Sequence, residues 1–364
     1  MRVIGLMSGT SMDGLDAAMA ELEWNGGTVA MSPLRHIERP WPDEVRARLH
    51  ASLGPTTAGE LCELDQLIGQ ASAQLATELL PADLVVSHGQ TVHHWVHDGE
   101  AKGTLQLGQP AWIVEATGLP VISDVRSRDI AAGGHGAPLV PAFHHAMFGR
   151  GDASVAVLNL GGIANLTALD RDGAIAGFDC GPANVLLDLW CERSTGQPFD
   201  PDGSWGGRGH VDALLLDACL AEPYFALPPP KSTGRDLFNA GWLEARLDAT
   251  RARARLRPED IQATLAELTA RTVAGAFRSH LARAVELIVC GGGARNADLM
   301  ARLGAALAPA RVVASDERGL PADQVEAAAF AWLARAFVHR LAGNVPAATG
   351  AAGPRILGAL YPAR

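Results

Sequence analysis

No apolar stretch in this sequence reaches the roughly 18–20 residues that a bilayer-crossing helix requires, so no membrane span is expected. No dense run of lysine and arginine is present, and the formal net charge is -10, which argues against nucleic acid or an anionic membrane surface as the main partner. The five cysteines, Cys62, Cys180, Cys191, Cys219 and Cys290, are widely spaced without a Cys-x-x-Cys pair, a pattern that suits reduced thiols. The apolar run in Met1-Arg2-Val3-Ile4-Gly5-Leu6-Met7-Ser8-Gly9 is too short for a signal peptide and is broken by glycine, so a cytoplasmic protein is expected. Also missing are a low-complexity tail, the P-loop ending in Gly-Lys-Ser/Thr, and the dinucleotide pattern of three spaced glycines.

What remains is a chain of 364 residues, 48% hydrophobic and 19% charged, values that suit a folded enzyme and a length that suits two domains. Short apolar runs at 3–7, 17–22, 84–87, 155–160 and 287–290 read as strands. They alternate with helical patterns at 57–80, 184–194, 258–284 and 323–341, which predicts an α/β architecture. Two segments about one domain length apart share a plan of strand, tight glycine-bearing turn and second strand, so the α/β domain is read as duplicated. The glycine patch at 131–138 reads as a loop or hinge between the halves. An N-terminal α/β domain is expected over 1–130 with a returning segment at about 342–364, and a C-terminal α/β domain over 131–341. The stretches 197–209 and 228–231 read as surface loops.

Three glycine-bearing segments carry the candidate chemistry. The first turn, Gly9-Thr10-Ser11-Met12-Asp13-Gly14, with Leu15 and Asp16 behind it, offers amides, hydroxyls and a carboxylate directly after a strand. That mixture suits a triphosphate with its magnesium ion, Asp13 holding the metal or its water; a plain hairpin turn is the simpler reading. The second turn contains Asn159, Gly161 and Gly162, where paired glycines let the backbone approach a ligand closely. The third, Gly291-Gly292-Gly293, follows a buried strand and opens a helix, a junction that suits the nucleoside end of ATP; close packing alone is the alternative. Asp179 follows a short strand and precedes a Gly181-Pro182 turn into a helix, either as a base pointing into a cleft or as an N-cap. Of His88, His93, His94 and His97, His93 and His97 would share a face of a helix, but their surroundings read as a strand end and turn, which disfavours a zinc site and leaves structural or sugar-contacting roles.

Three such loops spread over two α/β halves resemble the actin and hexokinase-like superfamily. The resemblance narrows with 5–14, Ser87-His88-Gly89-Gln90-Thr91, 124–131, 159–165, Phe178-Asp179-Cys180-Gly181-Pro182-Ala183-Asn184 and 326–332. In this order, over nearly the whole chain, these resemble the motifs of anhydro-N-acetylmuramic acid kinases. Cys180 and Ala183 stand where that family's motif has Thr and Gly, and neither departure removes a carboxylate.

The resemblance implies a duplicated actin/hexokinase-like (ribonuclease H-like) two-domain fold with a central ATP cleft. It implies a cytoplasmic homodimer that uses ATP and Mg2+ in peptidoglycan recycling. Asp179 would deprotonate a water that opens the 1,6-anhydro ring of the sugar, while the released O6 takes the γ-phosphoryl group, giving N-acetylmuramic acid 6-phosphate and ADP. Gln90, Thr91, Arg126 or Arg128, and Glu326 would bind the sugar, an Arg forking onto the lactyl carboxylate. Two other classes compete on the same fold. A noncatalytic sugar-responsive regulator is expected to carry an added DNA-binding module, and none precedes the first strand. A metal-dependent hydrolase or carbamoyl-transfer relative would employ the histidines.

Overall fold

The short apolar runs of the sequence become strands of two separate sheets in the computed structural model, which describes residues 1–9, 12–25, 28–229, 231–281 and 283–363. Strands β1 (Arg2–Ser8), β2 (Gly14–Asn25) and β3 (Thr28–Pro40) form an antiparallel meander. The chain crosses through the helix Ala58–Glu78 and returns as β4 (Leu84–His97), parallel to β1. β5 (Glu100–Leu107) folds back on the far half of β4, and β6 (Val121–Ser123) lies parallel to its near half.

A second meander follows, made of β7 (Val155–Leu160), β8 (Ile163–Leu169) and β9 (Ile175–Pro182). After a mainly helical stretch, β10 (Glu286–Cys290) pairs parallel to β7 and β11 (Arg311–Ala314) parallel to β10. The helix Val325–Val338 and the strand β12 (Ala359–Tyr361), antiparallel to β6, belong again with the first sheet.

The sheet orders are β12-β6-β4-β1-β2-β3 and β11-β10-β7-β8-β9. With β5 and β12 set aside, both read as an antiparallel meander whose first strand is flanked on its other side by two parallel strands. The same order and directions occur twice, so the fold is the duplicated actin/hexokinase-like, ribonuclease H-like α/β plan.

Local chemistry explains the long crossover helices. Thr57 caps Ala58–Glu78 by accepting the Glu60 N–H at 3.1 Å, and Leu64, Ile68, Leu75 and Ala76 form its buried stripe. The helix Pro258–His280 opens with proline, whose missing N–H costs nothing in the first turn, and Asp260 accepts the Arg257 N–H at 3.2 Å. Its buried face joins Leu158, Leu166, Phe178, Trp190, Phe238 and Trp242 in the core of the second unit. The first unit has its own core around Ile4, Leu6, Leu15, Leu64, Ile68 and Val85.

The compact units are Met1–Met147 with Gln324–Arg364, and Phe148–Asp323. The divisions thus fall after Met147 and before Gln324, not near 130 and 342. Asp129 accounts for the first difference. Its buried carboxylate accepts from the Gly136 N–H at 2.8 Å, Asn344 Nδ2 at 2.7 Å and the Thr349 hydroxyl at 2.8 Å. The glycine patch at 131–138 is therefore tied into the first unit. The second difference arises because the helix Val325–Val338 packs across β1, β2 and β4. Nor is 197–209 only surface: Asp200 is 8% exposed, its carboxylate accepting from the Trp205 and Gly206 N–H groups.

Close approach of that helix depends on Gly5 in β1. A Cβ there would lie 2.2 Å from the Ala327 carbonyl oxygen and 3.1 Å from the Ala331 nitrogen, both backbone atoms that no rotamer can move. Gly5→Ala should therefore lower the unfolding free energy by about 1–3 kcal/mol through overpacking. Denaturant titration checks it; a loss below about 0.5 kcal/mol, the ordinary range for surface changes, would show that the helix can retreat at little cost.

Candidate active site

Asp179 lies within β9, not after a strand as the sequence suggests, and is paired across the ladder with Asn165 of β8. The register shifts between Ala164 and Asn165, a bulge of the kind that re-aims a side chain. Asn165 Nδ2 donates to Asp179 Oδ1 at 2.8 Å, and the Thr233 N–H donates to Oδ2 at 3.0 Å. The backbone is fixed as well: the Asp179 N–H donates to the Lys231 carbonyl at 3.1 Å, and the Tyr224 hydroxyl donates to the Asp179 carbonyl at 2.9 Å. The N-cap of the helix Asn184–Thr195 is Ala183, so Asp179 does not fill that role.

Burial raises the Asp179 carboxyl above its ordinary value, while the Asn165 and Thr233 hydrogen bonds and the charge of Lys231 pull it back. Lys231 is shifted down, by burial first. Its ammonium donates to the Tyr224 and Phe225 carbonyls at 3.3 and 3.2 Å and sits 4.8 Å over the Tyr224 ring. The loop expected only at the surface therefore closes against Asp179. Cys180 faces the opposite way from its neighbour along the strand and is 2% exposed in the core, where burial pushes its thiol up.

The glycine segments of the second unit converge because β7 and β10 are parallel neighbours, with Asn159 opposite Cys290 at their C-terminal ends. Gly291 takes φ +80, and a Cβ there would meet Asn159 Oδ1 at 2.3 Å and the Leu160 carbonyl at 2.9 Å. At Gly293 it would meet Leu160 Cβ at 2.6 Å, whereas nothing lies within 4 Å of one at Gly292. The Gly161 carbonyl accepts the Asn184 N–H, and the Gly162 carbonyl accepts those of Ala183 and Val185. Asn159, Gly161, Gly162 and Gly291 to Gly293 thus form one surface at the carboxyl ends of parallel strands, the usual place for a ligand in such sheets.

In the first unit, the Gly9 carbonyl accepts the Met12 N–H at 3.1 Å, and Met12 closes the turn at φ 59 with its side chain buried. Asp13 is exposed, and the Gly14 Cα faces the Arg39 carbonyl so closely that a Cβ would come within 2.4 Å. Thr10 and Ser11 lie outside the described residues. Leu15 packs in the core, and Asp16 sits 3.6 Å from His36 Nε2. Among the described residues no group of three or more His, Cys, Asp or Glu is placed to hold a metal ion.

Gln90 is fully buried, with its Nε2 donating to the Gly9 and Thr91 carbonyls at 3.1 and 3.2 Å. The Ser8 hydroxyl lies 2.6 Å from Gln90 Oε1 and 2.7 Å from the Gly14 carbonyl. This amide is a strut for the first turn. Thr91 accepts from Gln106 Nε2 at 3.0 Å.

Arg126 Nε donates to His88 Nε2 at 2.9 Å and Nη1 to the Gly136 carbonyl at 2.6 Å. Since that His88 nitrogen accepts, the ring proton is on Nδ1, which donates to the Gly89 carbonyl at 2.8 Å. Burial, reinforced by Arg126, lowers His88 to about 3, and burial lowers Arg126 to about 10 against the opposing charges of Glu326 and Asp129. The predicted sugar ligands Arg126 and Glu326 are therefore brought together. Arg128 is not with them: it is exposed and lines a cavity of about 520 Å³ with Phe337, Arg340 and Leu360.

Sequence reasoning missed Lys231 and Thr233 as neighbours of Asp179, expected only a structural or sugar-contacting role for His88, and quoted Asn165 without a role of its own. Asn165 ends a glycine turn motif and could have been singled out there. Thr233 stands 54 residues from Asp179, and no local signal links them.

A sequence model of the family described as anhydro-N-acetylmuramic acid kinase matches residues 1–363. An anhydro-N-acetylmuramic acid kinase of Cupriavidus pinatubonensis is 49% identical over 378 residues, covering 99% of this chain and 98% of its own. Another, from Bordetella petrii, is 51% identical over 373 residues, covering 99% and 96%. Among solved structures, the activator of the 2-hydroxyisocaproyl-CoA dehydratase from Clostridium difficile with bound ADPNP shares 13% identity. Its TM-score of 0.43, over 90% of this chain and 91% of that one, is too slight to carry an argument.

His88 supplies a test of the buried pair. A histidine near 6.5 unfolded and about 3 folded binds more protons unfolded between those values. Its stabilising contribution is complete above about pH 6.5 and is lost as pH falls toward 3. Between pH 7 and pH 5 the wild type should lose about 2 kcal/mol more unfolding free energy than His88→Gln. Denaturant titrations at the two pH values measure this, and equal losses would mean that His88 is not held neutral.

Proposed function

The chain belongs to the anhydro-N-acetylmuramic acid kinase family, and from that premise we propose the reaction that its own residues perform. The protein takes ATP, water and 1,6-anhydro-N-acetylmuramic acid and produces N-acetylmuramic acid 6-phosphate and ADP. The observation that carries this reading is the Asp179 carboxylate: partly buried, held on both oxygens by neutral donors, and raised above its ordinary value chiefly by burial.

Asp179 accepts a proton from water as the water oxygen bonds to the anomeric carbon. The bond from that carbon to O6 breaks, and O6 takes the γ-phosphorus of ATP while the bond to the β-phosphate oxygen breaks. The proton later passes from Asp179 to solvent. Arg126, braced by His88, meets the lactyl carboxylate, and Glu326 accepts a sugar hydroxyl. Gln90 keeps the first turn in shape, and Thr91 lies beside it. The first turn and the surface formed by Asn159, Gly161, Gly162 and Gly291 to Gly293 hold the nucleotide through backbone N–H groups. Asp13, exposed on the first turn, suits magnesium, which takes one or two carboxylates, keeps several waters and neutralises phosphate charge.

The proposal includes a homodimer working in the cytoplasm on sugar released by peptidoglycan turnover. Four buried free cysteines and an exposed one suit a reducing compartment. Among the described residues no helix is long and apolar enough to cross a membrane.

Gly162→Val tests the nucleotide surface. A Cβ at Gly162 would meet only Val185 Cβ, at an ordinary 3.7 Å, so the variant should fold as wild type does. Calorimetry should show weakened ATP binding; undiminished affinity would remove Gly162 from the site.

Asp179→Asn should bind ATP and sugar yet lose turnover by at least ~100-fold, the lower end of what a general base contributes. Product made in oxygen-18 water should carry the label at C1. A folded variant working within about tenfold of wild type, well short of that contribution, would move the base elsewhere.

A further inference from the structure

Asn165 and Thr233 both donate to the Asp179 carboxylate. Each uses one atom on the carboxylate, Nδ2 for Asn165 and the backbone N–H for Thr233. Each also carries a second polar atom, Asn165 Oδ1 and Thr233 Oγ1, that is buried and takes part in no hydrogen bond within the protein. Native interiors rarely leave such atoms unpaired, and here two occur on the two residues that hold one carboxylate. Covalent geometry keeps Asn165 Oδ1 next to the Nδ2 bonded to Asp179 Oδ1, and Thr233 Oγ1 on the residue whose N–H reaches Oδ2.

We propose that Asp179, Asn165 Oδ1 and Thr233 Oγ1 form a subsite for a single water molecule, the nucleophile of the ring-opening step; this rests on the reading of Asp179 as the base. A buried water is held by two to four polar partners. Here one hydrogen is directed to the carboxylate and the other to the amide or hydroxyl oxygen, which leaves a lone pair for the anomeric carbon. The amide and the hydroxyl are not bases, so the proton released as the carbon–oxygen bond forms goes to Asp179. Asn165 and Thr233 are thus positioning residues, selecting water and fixing which of its hydrogens is removed.

The arrangement also predicts different effects for the two residues. Asn165 donates to the carboxylate and stabilises its charged form, whereas the Thr233 side chain does not touch it. The other titratable groups around Asp179, namely Lys231, Tyr224 and Cys180, remain in place in both variants.

Thr233→Val keeps the shape and the backbone N–H but removes Oγ1. We expect kcat to fall about tenfold, on the scale of one misplaced reacting group, with the KM values for ATP and sugar and the acid limb of the pH profile unchanged. Thr233→Ser, which retains the hydroxyl, should restore turnover to within about twofold, a residual loss smaller than one positioned hydrogen bond is worth. Asn165→Ala should lower kcat and also move the acid limb to higher pH. If Thr233→Val is folded and turns over as wild type, or if it raises the sugar KM at unchanged kcat, the subsite holds no nucleophilic water and the proposal falls. In the second case the atoms bind a sugar hydroxyl. Loss of activity in Asp179→Asn beside normal Thr233→Val overturns the subsite alone, whereas an active Asp179→Asn overturns the base itself.

Discussion

Parallel pairing of the first strand of each meander with the strand that follows the meander along the chain, β1 with β4 and β7 with β10, is the constraint on which the rest of the molecule depends. A parallel neighbour cannot be reached by a tight turn, so each unit inserts a helical crossover between those strands. The same pairing brings the segments that leave both strands to one end of the sheet. In the second unit this sets Asn159 opposite Cys290 and brings the two glycine segments into contact. In the first it sets Ser8 opposite Gln90, whose amide then braces the turn after β1. A polar surface made mostly of backbone follows from strand order before any side chain acts.

Charge in the interior is handled in two ways. Asp129 is completely buried and receives three neutral donors, which spend its capacity on joining chain segments far apart in sequence. Asp179 receives one donor on each oxygen and keeps lone pairs in reserve. The first arrangement is structural and close to saturated, three donors meeting about four lone pairs. The second leaves a carboxylate oriented but incompletely satisfied.

Strand and helix patterns were legible because their periods are local: the apolar runs at 3–7, 155–160 and 287–290 all lie inside observed strands, and Thr57 marked a true helix start. The duplication was legible from two similar hairpins, and the matching strand orders bear it out. The family motifs pointed to Asp179 but not to its supports. Thr233 and Lys231 reach it through a loop whose path depends on Tyr224 and Phe225 packing in the core, a relation with no sequence period. The glycine patch at 131–138 looked like a hinge because composition records conformational freedom and not the hydrogen bonds that remove it. Asp129 removes it.

The first unit needs both ends of the chain. β12 completes its sheet beside β6, Val325–Val338 covers β1, and Asn344 and Thr349 satisfy Asp129. The second unit is one uninterrupted stretch, Phe148–Asp323. On a ribosome, where domains fold as units while the chain emerges, residues 1–147 must wait with β1 uncovered and Asp129 short of two donors. The later-made unit is therefore the first that can reach its native state, and the earlier-made one is the stage at which synthesis most needs protection from aggregation.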